Sequence, residues 1–369
     1  MTPTIPASVA QITPEWLTGV FAESGVSPVA VNTVEATRIG EGVGFIGEIH
    51  RITLSYEDPE AAVAAGAPLS IVSKIPTQDP GGRMIGTMLR LYEKESGFYR
   101  HLAADSPVHV PACYYNGADL DSQQWCLLLE DMSAYDVGDQ LQPCSLEQAR
   151  TLIGAMARIH AQWSDGRADD LQWRPRIDDP SSSAMLAMYD DCLPVAMARY
   201  SHMVPEYMMD WGKRFAPHAF AWVADYASQP GTVIHGDFRT DNIVFSPTAP
   251  LTDFAFLDWQ VTSRGPGATD LYYFLALSLD PEVSCGKFDE LVDLYLSEYT
   301  AAGATRPSRD VLLHQMRGIG LFFSVLGVVT MATLDPANKR GEELFLTMWR
   351  RAVPFAEHLD LSPALPVDR

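Results

Sequence analysis

The spacing of apolar residues divides the chain into a β-patterned first third and a largely helix-patterned remainder. Thr13-Pro14 predicts the start of a short helix, with Thr as cap and Pro at the first helical position. From Val29 the period shortens. Ile49, Ile52, Leu54 and Tyr56 predict a strand with a slip between Ile49 and Ile52. Residues 57–68 read as a loop by composition, 69–76 as a buried strand and 78–83 as a turn. Residues 84–104 read as one helix with an apolar stripe of Met88, Leu91, Phe98 and Leu102. Two more strands are expected at 110–117 and 123–131. Beyond Asp131 the pattern is helical at 146–163, over most of 181–228 and from Thr269 onward. Strand-loop-strand segments, TVIHGDFRTDNIVF and FAFLDWQ, interrupt it. This order predicts an α+β chain, with a β-rich lobe over 1–131 and a mainly helical lobe over 132–369.

Composition narrows the classes. The 369 residues are 47% hydrophobic and 20% charged, a globular balance with room for about two domains. Lys and Arg number 26 against 47 Asp and Glu, a net charge of −21, so neither a nucleic-acid nor an anionic-membrane partner is expected. Five cysteines, with no C-x-x-C pair, argue against a disulfide framework or structural zinc and fit a reducing compartment. The N-terminus has neither the basic start nor the apolar run of a signal peptide, so a cytoplasmic protein is expected. Residues 318–334 carry no charge over 17 positions, near the lower limit for a membrane span. Their three glycines and three hydroxyl residues favour a buried core helix.

Three signals carry chemistry. Gly42, Gly44 and Gly47 fit G-x-G-x-x-G, a weak motif by itself. A strand pattern follows it, which suits a loop lying over phosphates better than a dinucleotide turn; a plain glycine-rich hairpin is the alternative. Lys74 lies inside an apolar strand, where an ammonium needs an anion. Glu95 fills the gap in the apolar stripe of the following helix, and a Lys74–Glu95 pair would satisfy both groups and hold the lysine on the α- and β-phosphates of ATP. A Glu95 reaching water at a lobe edge is the alternative. The strongest signal is His235-Gly236-Asp237, followed by Asn242 and then Asp258. Phosphoryl transfer needs a carboxylate for the hydroxyl proton, and an amide oxygen and a second carboxylate for Mg²⁺. Asp237, Asn242 and Asp258 match these roles in order.

VIHGDFRTDNIVF and FLDWQ resemble the catalytic and metal-binding segments of the aminoglycoside phosphotransferase and choline kinase superfamily, small-molecule kinases with a protein-kinase-like fold. A D-W-Q metal segment followed by GPGATDLYYFL (265–275) brings the likeness nearest the ecdysteroid kinase-like branch, and FYRHLA, LLLEDM (127–132) and ARIHAQW (157–163) also resemble family segments. Gln260 stands where aminoglycoside enzymes usually have Gly. The resemblance covers about residues 35–280. It implies a two-lobed kinase-like fold, adenine held by backbone groups of Glu130 and Met132, a buried Asp270 bracing the catalytic loop, a structural His160 and a loop-orienting His235. A protein kinase fits less well: Gly236 stands where those enzymes have Arg, and no A-P-E follows Asp258. No G-x-S-x-G supports a serine hydrolase.

The acceptor is not legible. The stretch 185–209 holds six of the 14 methionines, with tyrosines and tryptophans in and near it, and would either line an apolar pocket or form helix core. Asp178, Asp179, Asp190, Asp191 and Asp210 could instead serve a polycation; both readings place the acceptor region at about 165–230. The expected activity is transfer of the γ-phosphoryl of ATP, with Mg²⁺, to a hydroxyl of a small, apolar, steroid- or terpenoid-like acceptor. The alternatives are an aminoglycoside or macrolide phosphotransferase and a non-catalytic nucleotide-binding module. GTP in place of ATP stays open.

Overall fold

Thr13 accepts from the N–H of Trp16 and opens α1 (Pro14–Ser24), which closes at Gly25 in the left-handed conformation. The computed structural model describes residues 4–40, 47–167, 175–180, 184–335 and 337–366. The chain forms two compact units: Met1–Asp105, His109–Asp136 and Ala255–Gln260 make the first, and Ser106–Val108, Val137–Phe254 and Val261–Arg369 make the second.

In the first unit, α1 is followed by β1 (Val31–Ile39), β2 (Gly47–Tyr56), α2 (Pro59–Ala64), β3 (Ser70–Pro76), α3 (Pro80–Met88), α4 (Leu91–His101), β4 (Cys113–Asp119) and β5 (Gln124–Glu130). The strands form an antiparallel sheet in the order β1-β2-β3-β5-β4. One face of the sheet joins Leu17, Val20 and Phe21 of α1 in a core with Ile52, Leu54, Ile71, Ile75, Cys126 and Leu128. The slip expected in β2 is absent. Strict alternation buries His50, Ile52, Leu54 and Tyr56, so a histidine takes the inward position and Ile49 points to the other face.

Three expectations need correction. Residues 57–68 contain α2, because the Asp58 side chain accepts from Ala61 N–H and Pro59 begins the helix. Residues 78–83 likewise start α3, with Asp79 accepting from Gly82 N–H and Pro80 next. Asp-Pro reads as a turn by composition, yet it also caps a helix and presets the first helical φ. The helix expected over 84–104 breaks at Arg90, whose φ is +57°. Met88 therefore leaves the stripe and is 52% exposed, while Leu91, Glu95, Phe98 and Leu102 stay buried.

Next come β6 (Asp136–Val137), α5 (Leu146–Gln162), α6 (Tyr189–Tyr200), α7 (Glu206–Phe215), α8 (Ala219–Ser228), β7 (Thr232–Ile234), β8 (Ile243–Phe245), β9 (Phe254–Phe256) and β10 (Ser263–Gly265). The chain ends in α9 (Ala268–Leu277), α10 (Pro281–Gly286), α11 (Phe288–Ala301), α12 (Arg309–Thr333) and α13 (Lys339–Leu359). In the second unit α5 starts with a reciprocal capping box between Ser145 and Gln148. β7 pairs antiparallel with β10, Ile234 opposite Ser263. α12 contains the charge-free run and packs against α6, α7 and α9. Among the described residues it is the one helix long and apolar enough to cross a membrane, and 56% of its most apolar window is buried within the protein.

His50 is 8% exposed and its Nδ1 has no hydrogen-bond partner. Burial lowers its pKa below the ordinary histidine value; Glu48 opposes that shift and Arg38 adds to it. Above about pH 6.5 the imidazole is neutral in folded and unfolded chains alike, and as pH falls below that value the unfolded chain takes up the proton first. Stability should thus fall on acidification. The loss in urea midpoint between neutral and mildly acidic pH is expected to be smaller in His50→Gln, and equal losses would reject the assignment.

Candidate active site

Lys74 lies on the central strand β3, between Ile49 of β2 and Leu127 of β5, on the sheet face opposite His50 and Ser73. Its ammonium donates to Glu95 Oε1 at 2.5 Å and to Asp258 Oδ1 at 2.9 Å. Asp258 follows β9 in the segment that belongs to the first unit. Its φ of +59° is uncommon for a residue with a side chain, and its second oxygen accepts from Gln260 Nε2 at 3.1 Å. Trp259 pins this segment to α4 by stacking on Phe98, centroids 3.8 Å apart and planes 5° apart. Burial works against the Lys74 charge, but the carboxylates of Asp258 and Glu95 outweigh it and hold the ammonium pKa above the usual lysine value. Burial pushes the Glu95 carboxyl above the ordinary glutamate value, with Lys74 opposing that shift.

The remaining residues expected at a nucleotide site divide. Gly42 and Gly44 lie outside the described residues, and Gly47 starts β2 opposite Pro76. Glu130 ends β5. Its N–H donates to Ala112 O at 2.8 Å, while Ala112 N–H goes to the Glu130 carboxylate at 3.1 Å. Met132 is buried, and its carbonyl accepts from Tyr135 N–H.

The H-G-D segment leaves β7 and turns at Gly236, with φ of +84°. A β-carbon there would lie 2.6 Å from Val261 O, so both backbone conformation and space require glycine. Asp270 of α9, 1% exposed, lies beneath this turn. It accepts from His235 N–H at 2.7 Å and Gly236 N–H at 2.9 Å, and lies 3.2 Å from His160 Nε2. His160 Nδ1 meets the Tyr295 hydroxyl at 2.8 Å. His235 Nδ1 accepts from Asp237 N–H at 3.3 Å.

Asp237 Oδ1 accepts from the Tyr273 hydroxyl at 2.8 Å, and Oδ2 accepts from Arg239 Nε at 3.0 Å and Asn242 Nδ2 at 2.9 Å. Burial would raise its carboxyl pKa, but the Arg239 charge and the Tyr273 hydrogen bond outweigh burial and hold it below the ordinary carboxylate value. Asn242 Nδ2 also donates to Asp237 O at 2.9 Å. Because both partners are acceptors, the amide nitrogen must face them and the amide oxygen faces away. Arg239, Tyr273 and Gln140 carry no signal in the sequence motifs. Arg239 bridges Asp237 to Asp241, and Gln140 takes Thr240 N–H while giving its own N–H to Asp241. A cation two residues after the motif aspartate was the one available clue.

A cavity of about 370 Å³ opens at Asp237. Its walls are Gly236, Tyr272 and Tyr273, then Gly320, Phe323, Leu326 and Gly327 of α12, and Phe345, Met348 and Trp349 of α13. Asp237 is the one charged residue among the described lining residues. Of the methionine-rich stretch only Met185 and Met208 reach it; Met197 and Met209 border a smaller void behind Met208, Ser324 and Trp349. None of Asp178, Asp179, Asp190, Asp191 or Asp210 lines it. The described wall thus comes mainly from α12 and α13, with Met185 and Met208 the contribution from 165–230.

A family model described as the ecdysteroid kinase-like family matches residues 41–302. The chain belongs to the ecdysteroid kinase-like family. No curated protein matches it. Among solved structures it is similar to choline kinase from Cryptosporidium parvum Iowa II, at 11% identity over 95% of each chain with a TM-score of 0.54. It is also similar to the GDP complex of wild-type aminoglycoside 2'-phosphotransferase-IIIa, at 12% identity over 92% of this chain and 99% of that one, TM-score 0.52. These likenesses show the kinase-like fold. The ecdysteroid kinase-like match ends at residue 302, before α12 and α13, so most of the cavity wall lies beyond it.

Gly236→Ala should destabilise the second unit by at least about 2 kcal/mol, from left-handed strain and the clash with Val261. A thermal midpoint equal to that of the parent protein would show that the turn tolerates a side chain.

Proposed function

We propose that this kinase-like protein transfers the γ-phosphoryl group of ATP to the hydroxyl of a small apolar alcohol. The observation that supports this most directly is Asp237 at the end of a cavity whose described walls are otherwise uncharged. An aminoglycoside carries several ammonium groups, each needing a carboxylate, and this cavity offers one. A bulky apolar acceptor would instead bury its skeleton against Phe323, Phe345 and Trp349.

The chain's own groups suit the reaction. The Asp237 carboxylate, held ionised by Arg239 and Tyr273, accepts the acceptor's proton as the oxygen attacks phosphorus. The remaining lone pair on Oδ1 is the place for that hydrogen bond. Arg239, bonded to the same carboxylate, reduces the repulsion between it and an incoming phosphate. Lys74, positioned by Glu95, holds the α- and β-phosphates. The Glu130 carbonyl, bypassed by Ala112 N–H, and the Met132 N–H would read the adenine edge. By residue type and motif order, Asn242 and Asp258 would serve as ligands to Mg²⁺, which favours few protein ligands alongside phosphate oxygens and water. The outward amide oxygen of Asn242 and the carboxylate of Asp258 are oxygen donors of the kind it takes. When bound, Mg²⁺ would neutralise the β- and γ-phosphate charge.

Asp237→Asn should lower turnover by roughly 10²–10⁴, the usual worth of a positioned base, while ATP still binds. Unchanged turnover would remove Asp237 from the mechanism. Calorimetric titration of ATP should give binding that strengthens with Mg²⁺, and Asp258→Asn should move the Mg²⁺ requirement to higher concentration. A titration that does not move would end the metal assignment, and absence of ATP and GTP binding would favour a non-catalytic module.

A further inference from the structure

Resting on the phosphotransfer reading of the same cavity, we propose that the Tyr272 hydroxyl recognises a second oxygen on the acceptor. The substrate is then an apolar alcohol carrying one further hydroxyl or carbonyl group remote from the reacting one.

The polar groups of the cavity wall are nearly all spent. Tyr273 donates to Asp237. Ser324 Oγ donates to Gly320 O at 2.8 Å, and Thr330 Oγ1 to Leu326 O at 3.0 Å, each folded back onto α12. Trp349 Nε1 donates to Met203 O at 3.2 Å. Tyr272 differs. It is 3% exposed, lines the cavity, and its hydroxyl has no hydrogen-bond partner among the described residues. Burial alone raises its pKa, as expected where neither charge nor hydrogen bond reaches the phenol.

The ring is held in place. It stacks on Phe323 with centroids 6.1 Å apart and meets Phe355 edge-on at 5.6 Å. A β-carbon at Gly320 would lie 2.8 Å from Tyr272 Cε2 and 2.9 Å from Cζ, so the hydroxyl-bearing end of the ring rests against bare backbone on the cavity wall. Phenylalanine would keep this packing without placing in the apolar wall a hydroxyl that no described residue pairs. An acceptor oxygen would pair it. A polyhydroxylated skeleton would leave its other hydroxyls unpaired against apolar walls, so one extra oxygen is the number this cavity serves.

The test uses straight-chain alcohols from hexanol to dodecanol, each paired with the α,ω-diol of equal length. Binding is followed by tryptophan fluorescence, Trp349 being a wall residue, and turnover by ADP release with ATP and Mg²⁺. At one chain length the diol should bind roughly tenfold more tightly than its mono-alcohol, about the worth of one hydrogen bond. In Tyr272→Phe that ratio should fall to about one. A ratio equal in both proteins at every length, or no binding by any of these alcohols, overturns the proposal. Tyr272-dependent binding without ADP release would instead reject the phosphotransfer reading and leave the recognition standing. ADP release with the same diol preference in both proteins would do the reverse.

Discussion

Asp270 sits under a turn whose amide groups cannot be satisfied by regular secondary structure. Its carboxylate takes the N–H groups of His235 and Gly236 together, and His160, fixed in turn by Tyr295, supports it from behind. Each neighbour places a nitrogen within hydrogen-bonding distance of one buried carboxyl group, so its oxygens are satisfied inside the protein. The position of Asp237 follows from this arrangement. Gly236 accepts the left-handed turn, the chain reverses beneath Val261, and the next carboxylate emerges at the cavity. Gln140 supports the far side of the loop through Thr240 and Asp241.

The two charged clusters show the same electrostatic logic. Lys74 faces Glu95 and Asp258, and Arg239 faces Asp237 and Asp241. In each, one cation is shared by two carboxyl groups, which compensates part of the cost of burying charge.

The charge-free run in α12 has a double use. Its residues face the helices packed around it and also the cavity, so there is no side on which a charge would be cheap. Gly320 and Gly327 remove side chains where Tyr272 and Trp349 come closest, and thereby shape the wall. A run this long without charge approaches a membrane span in length, while its glycines and hydroxyl residues point to core. The family likeness ends before it, at residue 302.

Much of the machinery was legible because it violates local expectation. A lysine in an apolar strand, a glutamate in an apolar helix stripe and acids at fixed offsets between strands are costly unless paired or used, and cost leaves a mark in the pattern. Asp58-Pro59 and Asp79-Pro80 misled because the same dipeptide both turns a chain and caps a helix. Tyr273 and Gln140 left no mark of their own, and Arg239 only its charge beside the motif aspartate, since each is an ordinary residue type whose meaning depends on what lies across from it. The cavity was invisible for a deeper reason: a residue lining a pocket and a residue filling a core bury the same surface and select the same side chains. The buried charged residues, and their order, were therefore marked in the sequence by the energetic penalty of burying charge. Which apolar side chains line the cavity at Asp237, and that Tyr272 is one of them, was decided only when α9, α12 and α13 packed together.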